Sequence, residues 1–248
     1  MQRAEFHKAF KSIGPVVLPV IHVRDTPRTL RNVREVISAG AAGCFLINHD
    51  FEPDRFLPII RDVRAAYPAL WMGVNFLAVT GKDAFPMLGA LAQEGVRVDG
   101  YWADDACIDE HGENHTARDI AHVYRDSGWD GLYFGGTCFK KQRAVAPAHY
   151  GDAARYACEF MDVVTTSGVA TGQEADLGKI ESFRDAIGDT ALALASGITP
   201  DNAMQYGDVD CFMVATGINE RDNFYDIHPE KLAQLMQVSR AIGIGDVT

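Results

Sequence analysis

Short apolar runs without a break recur along the whole chain, and each is followed by a stretch with helical spacing. VVLPVIHV (16–23) reads as a buried strand, and TLRNVREVISAGA (29–41) after it places Leu30, Val33, Val36 and Ile37 on one helical face. The same alternation continues. GCFLINHD (43–50) precedes DRFLPIIRDVRAAYP, LWMGVNFL (70–77) precedes KDAFPMLGALAQEG, and VDGYWADDA (98–106) precedes TARDIAHVYRDSG. DGLYFGGTCF (130–139), DVVTTSG (162–168), ALALASGI (191–198) and DCFMVATGI (210–218) complete the strands. The helices expected after them lie in YGDAARYACEFM, DLGKIESFRDAIG, PDNAMQYG and PEKLAQLMQVSRAIG.

Continuous apolar strands separated by amphipathic helices predict a parallel sheet buried on both faces. Eight such pairs in 248 residues is the size of a (β/α)8 TIM barrel. A doubly wound open sheet is the other arrangement with this rhythm, but VIHVRDTPRTL lacks the glycines of a dinucleotide fingerprint. No linker divides the chain, so residues 1–248 are read as one barrel domain. Residues 1–15, with Phe6 and Phe10 among charges, form an N-terminal extension expected to be a short helix.

The net charge of −11 disfavours nucleic acid and anionic membrane surfaces as partners. No apolar stretch reaches the roughly 18 residues of a spanning helix. The five cysteines are scattered without a C-x-x-C pair, which points to a cytoplasmic protein without a disulfide framework. A small phosphorylated molecule is the expected partner, with a homo-oligomer left open.

That expectation comes from ALALASGITPDNA. In barrels the ligand site lies at the C-terminal ends of the strands, with a phosphate site frequently built after strands seven and eight. Gly197 would let backbone approach an anion, and Thr199-Pro200 would start a helix aimed at the mouth. Thr216-Gly217 in VATGIN repeats the arrangement at the next strand end. Ser196, Gly197, Thr216 and Gly217 are therefore the candidate phosphate-binding residues; the plainer role of such glycines is simply to make turns.

From about residue 130 onward the chain resembles the BtpA/SgcQ family of barrels, through SGVATG after the sixth strand, SGITPDN after the seventh and the TG after the eighth. The last two loops also resemble those of phosphoribosylanthranilate isomerase and other phosphate-binding barrels. Where the family's fifth strand has an acidic residue and a histidine before a lysine, FGGTCFKK keeps Lys140 but offers Gly136 and Cys138. The resemblance implies the barrel more than a chemistry: the family is named for a factor in photosystem I biogenesis, and its other members look like sugar-metabolism barrels. A non-catalytic assembly or regulatory factor that retains a ligand pocket is thus the alternative to an enzyme.

Polar residues at the strand ends carry the chemistry that can be read. Asp104, Lys140, His49 and Asp50 are grouped as catalytic. Isomerisation or aldol-type cleavage of a phosphorylated sugar needs a base and a cation or acid near a fixed phosphate. His22, Asn48, Asn75, Asp105, Thr166 and Ser167 are grouped as substrate-binding. Each has a plainer role as well: His22 bonded to backbone, Asp25 and Asp50 capping helices, and one of Asp104 and Asp105 in a turn, since a strand directs only one of two neighbours inward. Lys141 and Arg143 are expected to be solvated. No redox cofactor is expected; Mg2+ held by Asp50 with Asp104 or Asp105 is a secondary option, without a metal-binding motif to support it.

Overall fold

A computed structural model describes residues 1–140 and 142–245, and Lys141 lies outside the described residues. Eight parallel strands close into a barrel in sequence order: β1 (Val16–Val23), β2 (Gly43–Asn48), β3 (Trp71–Asn75), β4 (Gly100–Ala103), β5 (Leu132–Gly136), β6 (Val163–Ser167), β7 (Leu192–Ala195) and β8 (Cys211–Val214). β8 pairs with β1, Val16 opposite Cys211, and closes the ring. The helices are α1 (Arg3–Phe10), α2 (Thr26–Ser38), α3 (Pro53–Ala66), α4 (Gly81–Gln93), α5 (His115–Asp126), α6 (Tyr150–Ala157), α7 (Leu177–Ile187) and α8 (Pro229–Gly245). The chain is a TIM barrel.

The helix expected after β7 is a 3-10 turn of four residues, Ala203–Tyr206. Thr199 and Asn202 bond reciprocally as a cap would, Thr199 N to Asn202 Oδ1 at 2.8 Å and Asn202 N to Thr199 Oγ1 at 3.3 Å. Too few residues remain before Gly207 to propagate an α-helix from that cap.

Strand alternation splits the core in two. Val17, Ile21, Cys44, Leu46, Met72 and Val74 face the helices. Val16, Leu18, Val20, Phe45, Ile47, Trp102, Phe134 and Met213 fill the barrel interior. Large and small residues interlock there. A Cβ on Gly73 would strike the Phe45 ring, and one on Gly100 the Trp71 ring, so these glycines admit the aromatic cluster. Phe45 meets Phe134 edge to face at 5.2 Å and Trp71 at 5.4 Å. The α1 helix plugs the N-terminal end: Phe6 is fully buried in the interior cluster, and Phe10 packs on Trp71 at 5.1 Å.

Candidate functional site

The same alternation, continued past the strand ends, decides which polar side chains reach the mouth. In β1 the inward series 16, 18, 20 continues to His22; in β2, 45 and 47 continue to His49; in β4, Trp102 continues to Asp104. These residues line one cavity, together with Leu77, Lys140, Thr171, Gly172, Ser196, Ala215 and Thr216. Val20, Ile47, Trp102 and Met213 form its apolar floor.

The outward series takes the other candidates away from the cavity. Asn48 is buried and spent on the backbone, donating to Phe51 O at 2.6 Å and accepting from Leu77 N at 3.1 Å. Asp50 is exposed and accepts from the Tyr225 hydroxyl at 2.7 Å. Asp105 is the turn residue of its pair, accepting from Cys107 N at 2.7 Å. Thr166 donates to Thr137 O at 3.0 Å. Asp25 does cap α2, accepting from Arg28 N at 2.8 Å.

Asn75 and Ser167 act through neighbours. Asn75 Nδ2 donates to Asp104 Oδ1 at 3.1 Å, which orients the carboxylate. Ser167 Oγ accepts from Lys140 N at 2.8 Å and fixes the backbone that carries the lysine. Lys179, which sits on α7 and at no strand end, ties the same region together: its Nζ donates to Cys138 O at 2.6 Å and Ser167 O at 2.8 Å. Burial pulls that amine down to about 8. Gly136 has a physical reason to be glycine, because a Cβ there would collide with the Asp104 carbonyl. Arg143 is half exposed and paired with the buried carboxylate of Glu110, which their hydrogen bond holds down to about 2.

On the β7 and β8 side, Ser196 and Thr216 line the cavity, while Gly197 and Gly217 serve the packing of the loops behind them. Gly197, at φ +77°, lies where a Cβ would strike the Gln173 carbonyl, and a Cβ on Gly217 would strike the Ile198 carbonyl. The glycines thus bring three loops together, including the 170–178 segment, which is held by a 2.9 Å bond from Asn202 Nδ2 to Glu174 Oε1. Replacing Gly217 by alanine is expected to destabilise the protein by about 1–3 kcal/mol through this overlap; a urea midpoint equal to that of the wild type would show that the loops have slack.

Three buried side-chain atoms of this region, Trp102 Nε1, Ser196 Oγ and Asn75 Oδ1, have no hydrogen-bond partner among the described residues. Leaving such atoms unpaired costs about 1–3 kcal/mol each. His22 is nearly buried, donates through Nδ1 to Phe224 O at 2.9 Å and stacks on the Phe224 ring at 3.7 Å. Burial first, then nearby His49, pull its pKa down to about 4. The unfolded chain therefore takes up a proton below about 6.5 that the folded state refuses. Stability is expected to fall as pH drops from about 6.5 to 4, and urea unfolding of His22→Gln across that range should show a shallower decline; equal slopes would contradict the assignment.

No family model matches this chain, and no curated protein matches it. Its structural neighbours are TIM barrels. The (S)-3-O-geranylgeranylglyceryl phosphate synthase of Thermoplasma acidophilum, solved with its substrate sn-glycerol-1-phosphate, is 12% identical with a TM-score of 0.65, covering 97% of this chain and 99% of that one. Tryptophan synthase subunit alpha from Legionella pneumophila is 16% identical, TM-score 0.65, with 99% of each chain covered. Phosphoribosyl anthranilate isomerase from Thermus thermophilus is 14% identical, TM-score 0.57, covering 94% and 99%. At such identities the likeness is one of fold. Among the described residues no helix is long and apolar enough to cross a membrane, and no group of three or more His, Cys, Asp or Glu is placed to hold a metal ion.

Proposed function

We propose that the protein is an enzyme acting on a small phosphorylated sugar or related phosphate ester, by proton transfer or aldol-type chemistry without a redox cofactor. The observation that carries this reading is the meeting, in one cavity, of Ser196 and Thr216 at the strand ends where barrels hold phosphate with Asp104 and Lys140 across the mouth. A neighbour of the same fold that takes sn-glycerol-1-phosphate adds support.

In this reading the hydroxyls and backbone N–H groups around Ser196 and Thr216 hold the phosphate. That fixes the rest of the ligand over the apolar floor, where electrostatic interactions are strengthened by exclusion of water. Lys140 places its positive charge beside the oxygen on which negative charge develops, and Asp104, steadied by Asn75, moves the proton. The division of labour follows from charge: the ammonium stabilises an oxyanion, and the carboxylate accepts a proton.

A thermal-shift panel of sugar phosphates, the parent sugars and inorganic phosphate, run with and without Mg2+, tests it. A ligand at about 100 times its Kd adds roughly 2.7 kcal/mol, a shift of several degrees for a chain of this size. Shifts confined to phosphorylated compounds are expected. With the best stabiliser as substrate, Asp104→Asn and Lys140→Ala should each lower turnover by about 10²–10⁴-fold. A folded protein that responds to no phosphorylated compound would overturn the reading.

A further inference from the structure

The imidazole of His22 has a defined face toward the cavity. Phe224 O can only accept, so the 2.9 Å contact places a proton on Nδ1, and in the neutral ring Nε2 carries the lone pair. The orientation is held from two sides, by the stacked Phe224 ring at 3.7 Å and by the edge of His49 at 4.8 Å. Phe224 is itself kept in place by its loop: Asn219 Nδ2 donates to the same carbonyl at 3.0 Å, and Arg28 clamps Asp226 with two bonds of 2.7 Å. Nε2 bonds to no described residue and is not among the buried, unpartnered atoms, so it opens on the cavity that the ring lines. Because β1 is the neighbour of β8, His22 and Thr216 sit at adjacent strand ends and line the same cavity.

We infer that His22 Nε2 is a specificity-determining acceptor for a hydroxyl of the ligand, so that the site takes phosphate esters bearing a hydroxyl near the phosphate and rejects those that carry a second anion there. This rests on the phosphate reading above and adds to it the identity of the neighbouring group. A hydroxyl can donate to a fixed lone pair, whereas a carboxylate in its place would set lone pair against lone pair with no proton between them. A site built to hydrogen-bond a hydroxyl discriminates strongly against an analogue lacking it, because the acceptor is then left unpaired.

Calorimetric titration of the full chain with four compounds tests the inference: inorganic phosphate, glycerol phosphate, propyl phosphate and phosphoglycolate. The wild type is expected to bind glycerol phosphate at least about tenfold more tightly than propyl phosphate or phosphoglycolate, a difference of about 1.4 kcal/mol. His22→Phe should bring the three esters together while leaving the affinity for inorganic phosphate within about threefold. Absence of the preference in the wild type, or its survival in the folded variant, overturns the inference and leaves the phosphate reading standing. Failure of the wild type to bind inorganic phosphate or any ester overturns both. Nitrogen NMR of the wild-type imidazole at pH 7 gives a readout that does not depend on the variant folding: a proton on Nδ1 with bare Nε2 is expected, and a proton on Nε2 contradicts the assignment.

Discussion

Asp210→Ala should lower the unfolding free energy by about 3–5 kcal/mol, the cost of stripping one partner from a buried ionic cluster. The carboxylate just before β8 is fully buried and accepts from Arg184 at 2.7 Å, Arg3 at 2.8 Å, His7 at 2.9 Å and the Leu192 N–H at 2.9 Å. Burial alone would push its pKa up; bonds from His7, the Leu192 N–H, Arg184 and Arg3 outweigh that and hold it below the usual carboxylate range. Removing it leaves the Arg184 guanidinium, whose side chain is only 12% exposed, with backbone carbonyls but no carboxylate partner, and takes away the tie through Arg3 and His7 to α1, whose Phe6 seals the barrel end. Melting should fall by roughly 6–20 °C for a chain of this size. Because the folded pKa is depressed, this stabilisation is present above the normal carboxylate pKa and fades as pH falls through the folded value, so the gap between wild type and variant should narrow in acid. Urea unfolding at pH 7 and pH 3 checks both statements, and a loss under 1 kcal/mol at pH 7 would show the cluster to be dispensable.

Ser196→Asp is expected to weaken binding of phosphate esters by 100-fold or more, about 2.7 kcal/mol. Ser196 has φ +81°, a left-handed conformation that aspartate tolerates better than most residues, so the backbone of the loop should survive the change. The new carboxylate would lie where the phosphate is proposed to sit, and like charges brought together cost several kcal/mol. Gly217→Asp is a poorer probe, since any side chain there meets the Ile198 carbonyl and would disturb folding as well as charge. The comparison is made by titrating wild type and variant with one ester, with folding checked by circular dichroism. Undiminished affinity in a folded variant would place the anion elsewhere.

The barrel was readable because most strands announce themselves by an apolar run and each crossover by helical spacing; VVLPVIHV and DCFMV needed no tertiary information. The turn after β7 was misjudged, since Thr199-Pro200 is a good helix start but nothing local says how soon the chain must return to β8. Of the strand-end residues singled out in the sequence, His22, His49, Asp104, Lys140, Ser196 and Thr216 line the cavity. Asn48, Asp50 and Asp105 lie outside the cavity because alternation from the interior positions Phe45 and Trp102 carries His49 and Asp104 inward and their neighbours outward. Lys179 was beyond such alternation: its role depends on α7 packing over the ends of β5 and β6, which only the closed barrel brings about.

A crystal structure of the protein grown with inorganic phosphate would bear most directly on whether this mouth is built for a phosphorylated ligand. Density for the anion between Ser196 and Thr216, with Lys140 and Asp104 across the cavity, is the expected result. An anion bound only at other surfaces, with the mouth unresponsive at phosphate concentrations that stabilise the protein, would contradict it.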